Sequence, residues 1–393
     1  MGPGQVESAR NFAGTNLFFE SFPYQARMTT FAAEGALTDS AAAATAIATG
    51  HKVYDGVLSL AMPGDEAELE TLLETFQKLG KATGLVTTSY ITDATPAAFG
   101  AHTSSRYNQE QIAYDYLNRT RPEVLLGGGG GLSAEAAAAA GYTVARDAVS
   151  LAAVMPDHAA RVCGLFGEGT FPFEYDGLGV LPSLSDMTRK ALDLLDDDPD
   201  GFFLMVEGGR IDHACHANDL ERAIRETLAF DVAVKSIAEW AQGRGDTLIL
   251  VMADHETGGL SVVRDNGAGT IPEVSWSTTG HTDTPVPLYG WGVNSGLVTQ
   301  TVDNAEVQAI TLSTGLMPAV GVGIGRVAPE AVRTYWAVSS GDVYRVEHAL
   351  TLQPAVWKPC GIVTADSTRV ECVTTAATGH AQGFYRMLSV SED

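Results

Sequence analysis

The stretch SDMTRKALDLLDDDPDGFFLMVEGGRIDHACHAND (185–219) decides the fold. Its first part, 185–198, places apolar residues at helical spacing with polar residues between them, which predicts an amphipathic helix. GFFLMV (201–206) is a short continuous apolar run after a Pro-Asp-Gly break, the pattern of a buried strand. That strand runs straight into Glu207, Asp212, His213, His216 and Asp219. Open α/β sheets bind ligands at the carboxyl ends of their strands. Mixed oxygen and nitrogen ligands without a cysteine cage suit a catalytic zinc or magnesium site better than a structural zinc site.

The same alternation extends in both directions. LETLLETFQKLG (69–80) predicts a helix ending in glycine, and KATGLVTTSY (81–90) a strand. PEVLLGGGG (122–130) is a strand running into a glycine turn, and AEAAAAAG (134–141) a short surface helix. LERAIRETLAFDVAVKSIAEWAQ (220–242) predicts a long helix, and DTLILVMADHE (246–256) the strand after it. Strands alternating with helices predict an α/β fold, a mostly parallel sheet with helices on both faces. The character changes near residue 317. The glycine- and proline-rich stretch 317–334 reads as a linker, and 335–393 as a small all-β, sandwich-like module with short alternating patterns such as DVYRVEHALTL (342–352). The expected division is therefore 1–316, 317–334 and 335–393.

The chain has 393 residues and a net charge of −24, enough for one large core plus a second, small domain. Such acidity argues against a nucleic-acid partner, which needs basic surface. It would also repel an anionic substrate unless metals and arginine make the site locally positive. Four cysteines are too few for a disulfide scaffold. Cys360 and Cys372 lie close enough in sequence to pair, and connectivity is left open. No run is long enough for a transmembrane helix, and MGPGQVESAR (1–10) lacks the basic-then-apolar pattern of a signal peptide.

Four further segments complement the 207–219 cluster. In ALTDSAAAATAIATG (36–50), Ser40 stands just before a run of helix formers. Either Asp39 or Ser40 simply caps the helix, or Ser40 is a nucleophile at a helix end that receives an anion. In SYITDATPAAFGAHTSSR (89–106), Asp93 and Thr95 follow a strand, and Arg106 offers a fork matching two phosphate oxygens. A surface salt bridge is the alternative for Arg106. VMADHETGG (251–259) puts Asp254 and His255 at a strand end, where a buried hydrogen-bonded pair is the competing reading. TTGHTDTPVPLYGWG (278–292) adds His281 in a polar loop.

Together these motifs resemble the alkaline phosphatase family. T-D-S-A-A-A-A-T-A (38–46), D-A-T-P-A-A (93–98), H-T-S-S-R (102–106), E-G-x-x-I-D-x-x-x-H (207–216), A-D-H (253–255) and T-G-H (279–281) recur in family order. The likeness covers roughly residues 1–316. It implies hydrolysis of phosphate monoesters with Ser40 as the nucleophile of a phosphoserine intermediate. Asp39 would orient Arg106, and Arg106 would clamp the phosphate. Asp212, His216 and His281 would hold one zinc, and Asp254 and His255 a second. Glu207 and Thr95 would hold magnesium, with Asp93 on that ion's waters. His213 falls where family members vary. No role is implied for Cys215, read as a small buried residue, or for His51, His102 and His158.

The resemblance also implies small phosphorylated substrates, a periplasmic or extracellular location and often a homodimer. In the family, a hydrophobic strand ending in a metal-bridging aspartate precedes a G-M-G turn, and Met1-Gly2 aligns with the tail of that turn. The expectation is a start-site error or an N-terminal truncation of a longer secreted precursor, with two ladder edges left open where that strand would sit. The competing functions are a phosphodiesterase on the same scaffold and a non-catalytic metal- or phosphate-binding remnant. A sulfatase fits less well, because alanines follow Ser40.

Overall fold

The computed structural model of the protein describes residues 1–315 apart from 36, 157–159 and 300, and beyond these the backbone of six strands. His158 and the side chains of Cys360 and Cys372 lie outside the described residues, and with them the question of a Cys360–Cys372 bond. Two compact units divide at Thr314/Gly315.

The first unit is built on a five-stranded parallel sheet. In spatial order its strands are Thr143–Ala145, Val162–Leu165, Val124–Gly128, Ala82–Tyr90 and Phe202–Glu207. Successive strand residues point to opposite faces, and the core divides accordingly. Val86 and Leu126 belong to one buried cluster, with Met187 and Leu195 of the helix Leu184–Leu195 and Ala223 and Phe230 of the helix Leu220–Ala241. Leu85 and Leu125 belong to another, with Leu73 and Phe76 of the helix Leu72–Lys78 and Ile112 and Tyr116 of the helix Gln109–Asn118. The sheet is thus covered on both faces, as the alternation predicts. Fully burying a leucine-sized side chain contributes roughly 1.5–3 kcal/mol.

The helix starts follow from their caps. Thr71 and Ser183 each accept the backbone N–H three residues on, and Asp219 accepts that of Arg222. Each cap therefore fixes where its helix begins.

A second sheet of the same unit holds Thr301–Asp303, Tyr24–Thr29, Val286–Gly292 and Leu248–Val251 in that order, with antiparallel pairing on both sides of Val286–Gly292. Phe202–Glu207 is the outer strand of the parallel sheet and Leu248–Val251 the outer strand of this one; neither has a second partner strand among the described residues. All six residues of Phe202–Glu207 are only half-buried, whereas Ala82–Tyr90 is buried almost throughout. The strand expected over 246–256 is shorter, because it breaks after Val251 and resumes as the two-residue strand Glu256–Thr257.

In the second unit, Gly325–Ala328, Ala331–Ala337 and Arg369–Thr375 form one antiparallel sheet. Lys358–Thr364, Val343–Ala349 and Phe384–Ser389 form another. The first of these strands falls within the stretch 317–334.

Candidate active site

Strand ends, the start of the helix Ser40–Thr49, the helix Arg210–His216 and the two-residue strand His281–Thr282 supply the site. Ser40 opens the helix Ser40–Thr49, whose N-cap is Asp39: its Oδ1 accepts the Ala42 N–H at 3.0 Å. The two readings of this segment are therefore compatible. Asp39 caps, and the Ser40 hydroxyl stays free to face His255, with its Oγ 3.0 Å from His255 Nε2. Ser40 thereby sits among the first, unpaired N–H groups of a helix.

Arg106 is held between two carboxylates. Its Nη1 donates to Asp39 Oδ2 and its Nη2 to Asp93 Oδ1, each at 3.1 Å. Burial would lower its pKa, but these two charges raise it overall, so the guanidinium stays charged. Asp93 is the N-cap of the helix Ala94–Gly100, and it also accepts the Ser89 hydroxyl at 2.6 Å. The expectation set Asp93 against magnesium-bound water; here Arg106, Ser89 and the Ala94 N–H engage it directly.

Asp212, His216 and His281 come together, and their ligand atoms all lie within 4.8 Å of one another. Asp212 and His216 are four residues apart on the helix Arg210–His216, so they share a face. His281 arrives from a different element. It opens the two-residue strand His281–Thr282, which pairs antiparallel with Glu256–Thr257 and sets His281 opposite Thr257. Gly258 and Gly259, at φ +93 and +58, turn the chain out of that pairing, and a Cβ on Gly258 would lie 2.5 Å from the Trp276 ring.

Each imidazole in this group is pinned by its far nitrogen. His216 Nδ1 lies 2.6 Å from the Thr279 carbonyl and His281 Nδ1 2.7 Å from the Thr38 carbonyl. A carbonyl only accepts, so both Nδ1 atoms carry protons and both Nε2 atoms face inward. Those Nε2 atoms lie 3.1 Å apart, with Asp212 oxygens at 3.3 Å from His216 and 3.7 Å from His281. Lone pairs and a carboxylate converging in this way fit a divalent cation such as zinc. Hydrogen bonding to Asp212 raises His216 to about 9. Burial would raise Asp212, but the His216 bond and the His255 charge hold it well below the usual carboxylate range.

Asp254 and His255 follow Leu248–Val251. Asp254 Oδ2 lies 3.1 Å from His255 Nε2, and the His255 ring stacks on His281 with centroids 3.5 Å apart. Burial opposes charge on Asp254, yet His255 and the amino group of Met1 lower it overall. Glu207, at the end of Phe202–Glu207, accepts the Thr87 hydroxyl; burial raises its carboxyl to about 7, while hydrogen bonds from Thr87 and Thr95 oppose that shift. Ser40, Asp39, Asp93, Thr95, Arg106, Glu207, Asp212, His216, Asp254, His255 and His281 are thus linked to one another through this region.

Other residues were not anticipated. Asp55 accepts the Asp39 N–H and Gly56 donates to Asp39 Oδ1, each at 3.0 Å, so the 55–56 turn braces the carboxylate that holds Arg106. Thr87 and Thr257 each donate to a candidate ligand, Glu207 and Asp212 respectively. Cys215 is fully buried, its thiol pushed up to about 12 by that burial, and it contacts Gln5 rather than the ligand cluster. His213 Nδ1 faces the Arg210 guanidinium at 2.8 Å, and His102 is a buried histidine paired with Glu74. An open cleft of about 760 Å³ is lined by 29–35, Lys52 and Asp283, and by none of the candidate ligands. Its lysine is already engaged by Phe31, Asn304 and Asp303, which leaves no free charge for an anion there.

A family profile described as alkaline phosphatase matches residues 1–131 and 129–272. Alkaline phosphatase 3 of Bacillus subtilis (strain 168) is 42% identical over 242 residues, covering 58% of this chain and 51% of that protein. Alkaline phosphatase of Escherichia coli (strain K12) is 33% identical over 334 residues, covering 68% of this chain and 70% of that one. The chain spans about half the length of the two Bacillus relatives it matches. Among solved structures, a cold-active alkaline phosphatase from the psychrophile Shewanella sp. superposes with a TM-score of 0.73 at 28% identity, covering 80% of this chain and 96% of that one. A mutant of TAB5 alkaline phosphatase with Mg bound in its M3 site gives 0.70 at 28% identity, covering 80% of this chain and 94% of that one.

Proposed function

Because the chain belongs to the alkaline phosphatase family, we propose that it hydrolyses phosphate monoesters through a phosphoserine formed on Ser40. The observation that carries this reading is the position of Ser40, at a helix N-terminus with its Oγ 3.0 Å from His255 Nε2, in a site that also holds Arg106. Ser40 Oγ attacks phosphorus and the ester oxygen leaves; water later cleaves the Ser40–phosphate bond, which frees inorganic phosphate and restores the hydroxyl. Arg106 keeps N–H groups beyond the two that Asp39 and Asp93 occupy, and those suit the equatorial phosphate oxygens. The helix end adds backbone donors for the same oxygens.

Asp212, His216 and His281 would hold one zinc and Asp254 with His255 a second, while Glu207 and Thr95 would hold magnesium. Bound there, such ions supply Lewis-acid stabilisation of the attacking and leaving oxygens. Asp93 would bind the magnesium ion's waters and also anchors Arg106, through the direct ion pair described above. The acidic chain would tolerate an anionic substrate where bound cations and Arg106 make the site locally positive. Small phosphorylated substrates, a periplasmic or extracellular site of action and a homodimeric state are part of the same proposal. No helix of the described residues is long and apolar enough to cross a membrane.

Hydrolysis of p-nitrophenyl phosphate at alkaline pH with added zinc and magnesium tests the reading, with bis-p-nitrophenyl phosphate as the diester comparison. Monoester turnover abolished by Ser40→Ala supports it. Diester preference, or metal uptake without turnover, contradicts it.

A further inference from the structure

Thr257 connects the two proposed zinc positions through a single hydroxyl. It is fully buried, and its Oγ1 donates to Asp212 Oδ1. A carboxylate only accepts, so the one hydroxyl proton is committed there. His255 Nδ1 lies 3.2 Å from the same Oγ1. With the proton used, that oxygen can only accept, and His255 Nδ1 must donate. When the ring is neutral, the lone pair is then on Nε2, which lies 3.1 Å from Asp254 Oδ2 and 3.0 Å from Ser40 Oγ, where a cation would take it. Thr257 also stands opposite His281 in the two-residue strand pairing, so its backbone helps place a third ligand.

We propose that Thr257 is a positioning residue that couples the two metal positions: it fixes the rotamer of Asp212 in one and the tautomer of His255 in the other. The inference rests on the reading of the site as a two-zinc centre. Loss of the hydroxyl frees both ligands together, which no ligand substitution does. Hydrogen-bond partners behind a metal ligand are worth about 10–100-fold in affinity, and here one group serves two ligands.

The experiment is zinc titration of the full chain against a chromogenic chelator, comparing the wild type with Thr257→Val and Thr257→Ser. Valine keeps the shape and removes the hydroxyl; serine restores it. The expected result is two zinc equivalents in the wild type, both weakened in Thr257→Val by about 10-fold or more, and recovery in Thr257→Ser. Wild-type affinity at both positions in Thr257→Val overturns the inference while leaving the two-zinc reading intact. A wild type that takes up no zinc overturns both. If Thr257→Val does not fold, the tautomer decides: nitrogen-resolved NMR of the zinc-loaded wild type is expected to place the His255 proton on Nδ1, and a proton on Nε2 overturns the inference.

Discussion

His216 and His281 face each other Nε2 to Nε2 at 3.1 Å. Each ring is locked in that direction by a backbone carbonyl behind it, Thr279 for one and Thr38 for the other. Without a cation, a proton on His216 Nε2 is favoured by Asp212, which raises that imidazole to about 9; a shared cation would replace the proton between the two Nε2 atoms and the carboxylate. His281→Ala is therefore expected to lower zinc affinity by more than the roughly 10–100-fold that a lost supporting hydrogen bond costs. Equilibrium dialysis against zinc at pH 8 checks it.

Asp39 is a cap and an anchor at once, since Oδ1 takes the Ala42 and Gly56 N–H groups and Oδ2 takes Arg106. Asp39→Asn keeps an acceptor for the helix and weakens the grip on the guanidinium. The expected outcome is a small change in melting temperature with a larger fall in kcat/KM. Arg106→Ala removes the donors themselves, and it is expected to cost on the order of 10²-fold or more in kcat, by analogy with loss of one transition-state donor. Steady-state kinetics on p-nitrophenyl phosphate measures both.

Glu226 tests the electrostatics of the core away from the metal region. It is 3% exposed on the helix Leu220–Ala241, accepts the Glu174 N–H, and is raised to about 7 by burial. Between the unfolded carboxyl value near 4.5 and the folded value near 7, the folded state binds more protons than the unfolded one. Stability is therefore lost as pH rises through that window, by an amount on the order of 3 kcal/mol, and is flat above it. Glu226→Gln keeps the acceptor for Glu174 and removes the titration. Urea denaturation from pH 4.5 to 8 is expected to show a shallower decline in the variant and higher stability than the wild type at pH 8.

The parallel half of the fold was legible in the sequence because apolar runs and helical spacing report directly on burial. The helix predicted over 220–242 is Leu220–Ala241, and the strand over 81–90 is Ala82–Tyr90. The break after Val251 was not legible, because VMADHETGG gives no periodic sign of where ladder pairing stops. Ligand identity could be read from residue type and motif order, whereas the bonds that aim each ligand could not. Thr279, Thr38 and Thr257 act through carbonyls or a single hydroxyl supplied by distant segments. For Asp93, the sequence suggested a role on a metal's waters, while its bond to Arg106, thirteen residues on, could not be read from the spacing.

The most direct test of the central claim is acid-quenched turnover of a phosphate monoester carrying labelled phosphorus, followed by peptide mapping. The account predicts label on the peptide containing Ser40, acid-stable, with none in Ser40→Ala. Turnover with no labelled Ser40 under any quench, or label on a different residue, would contradict it.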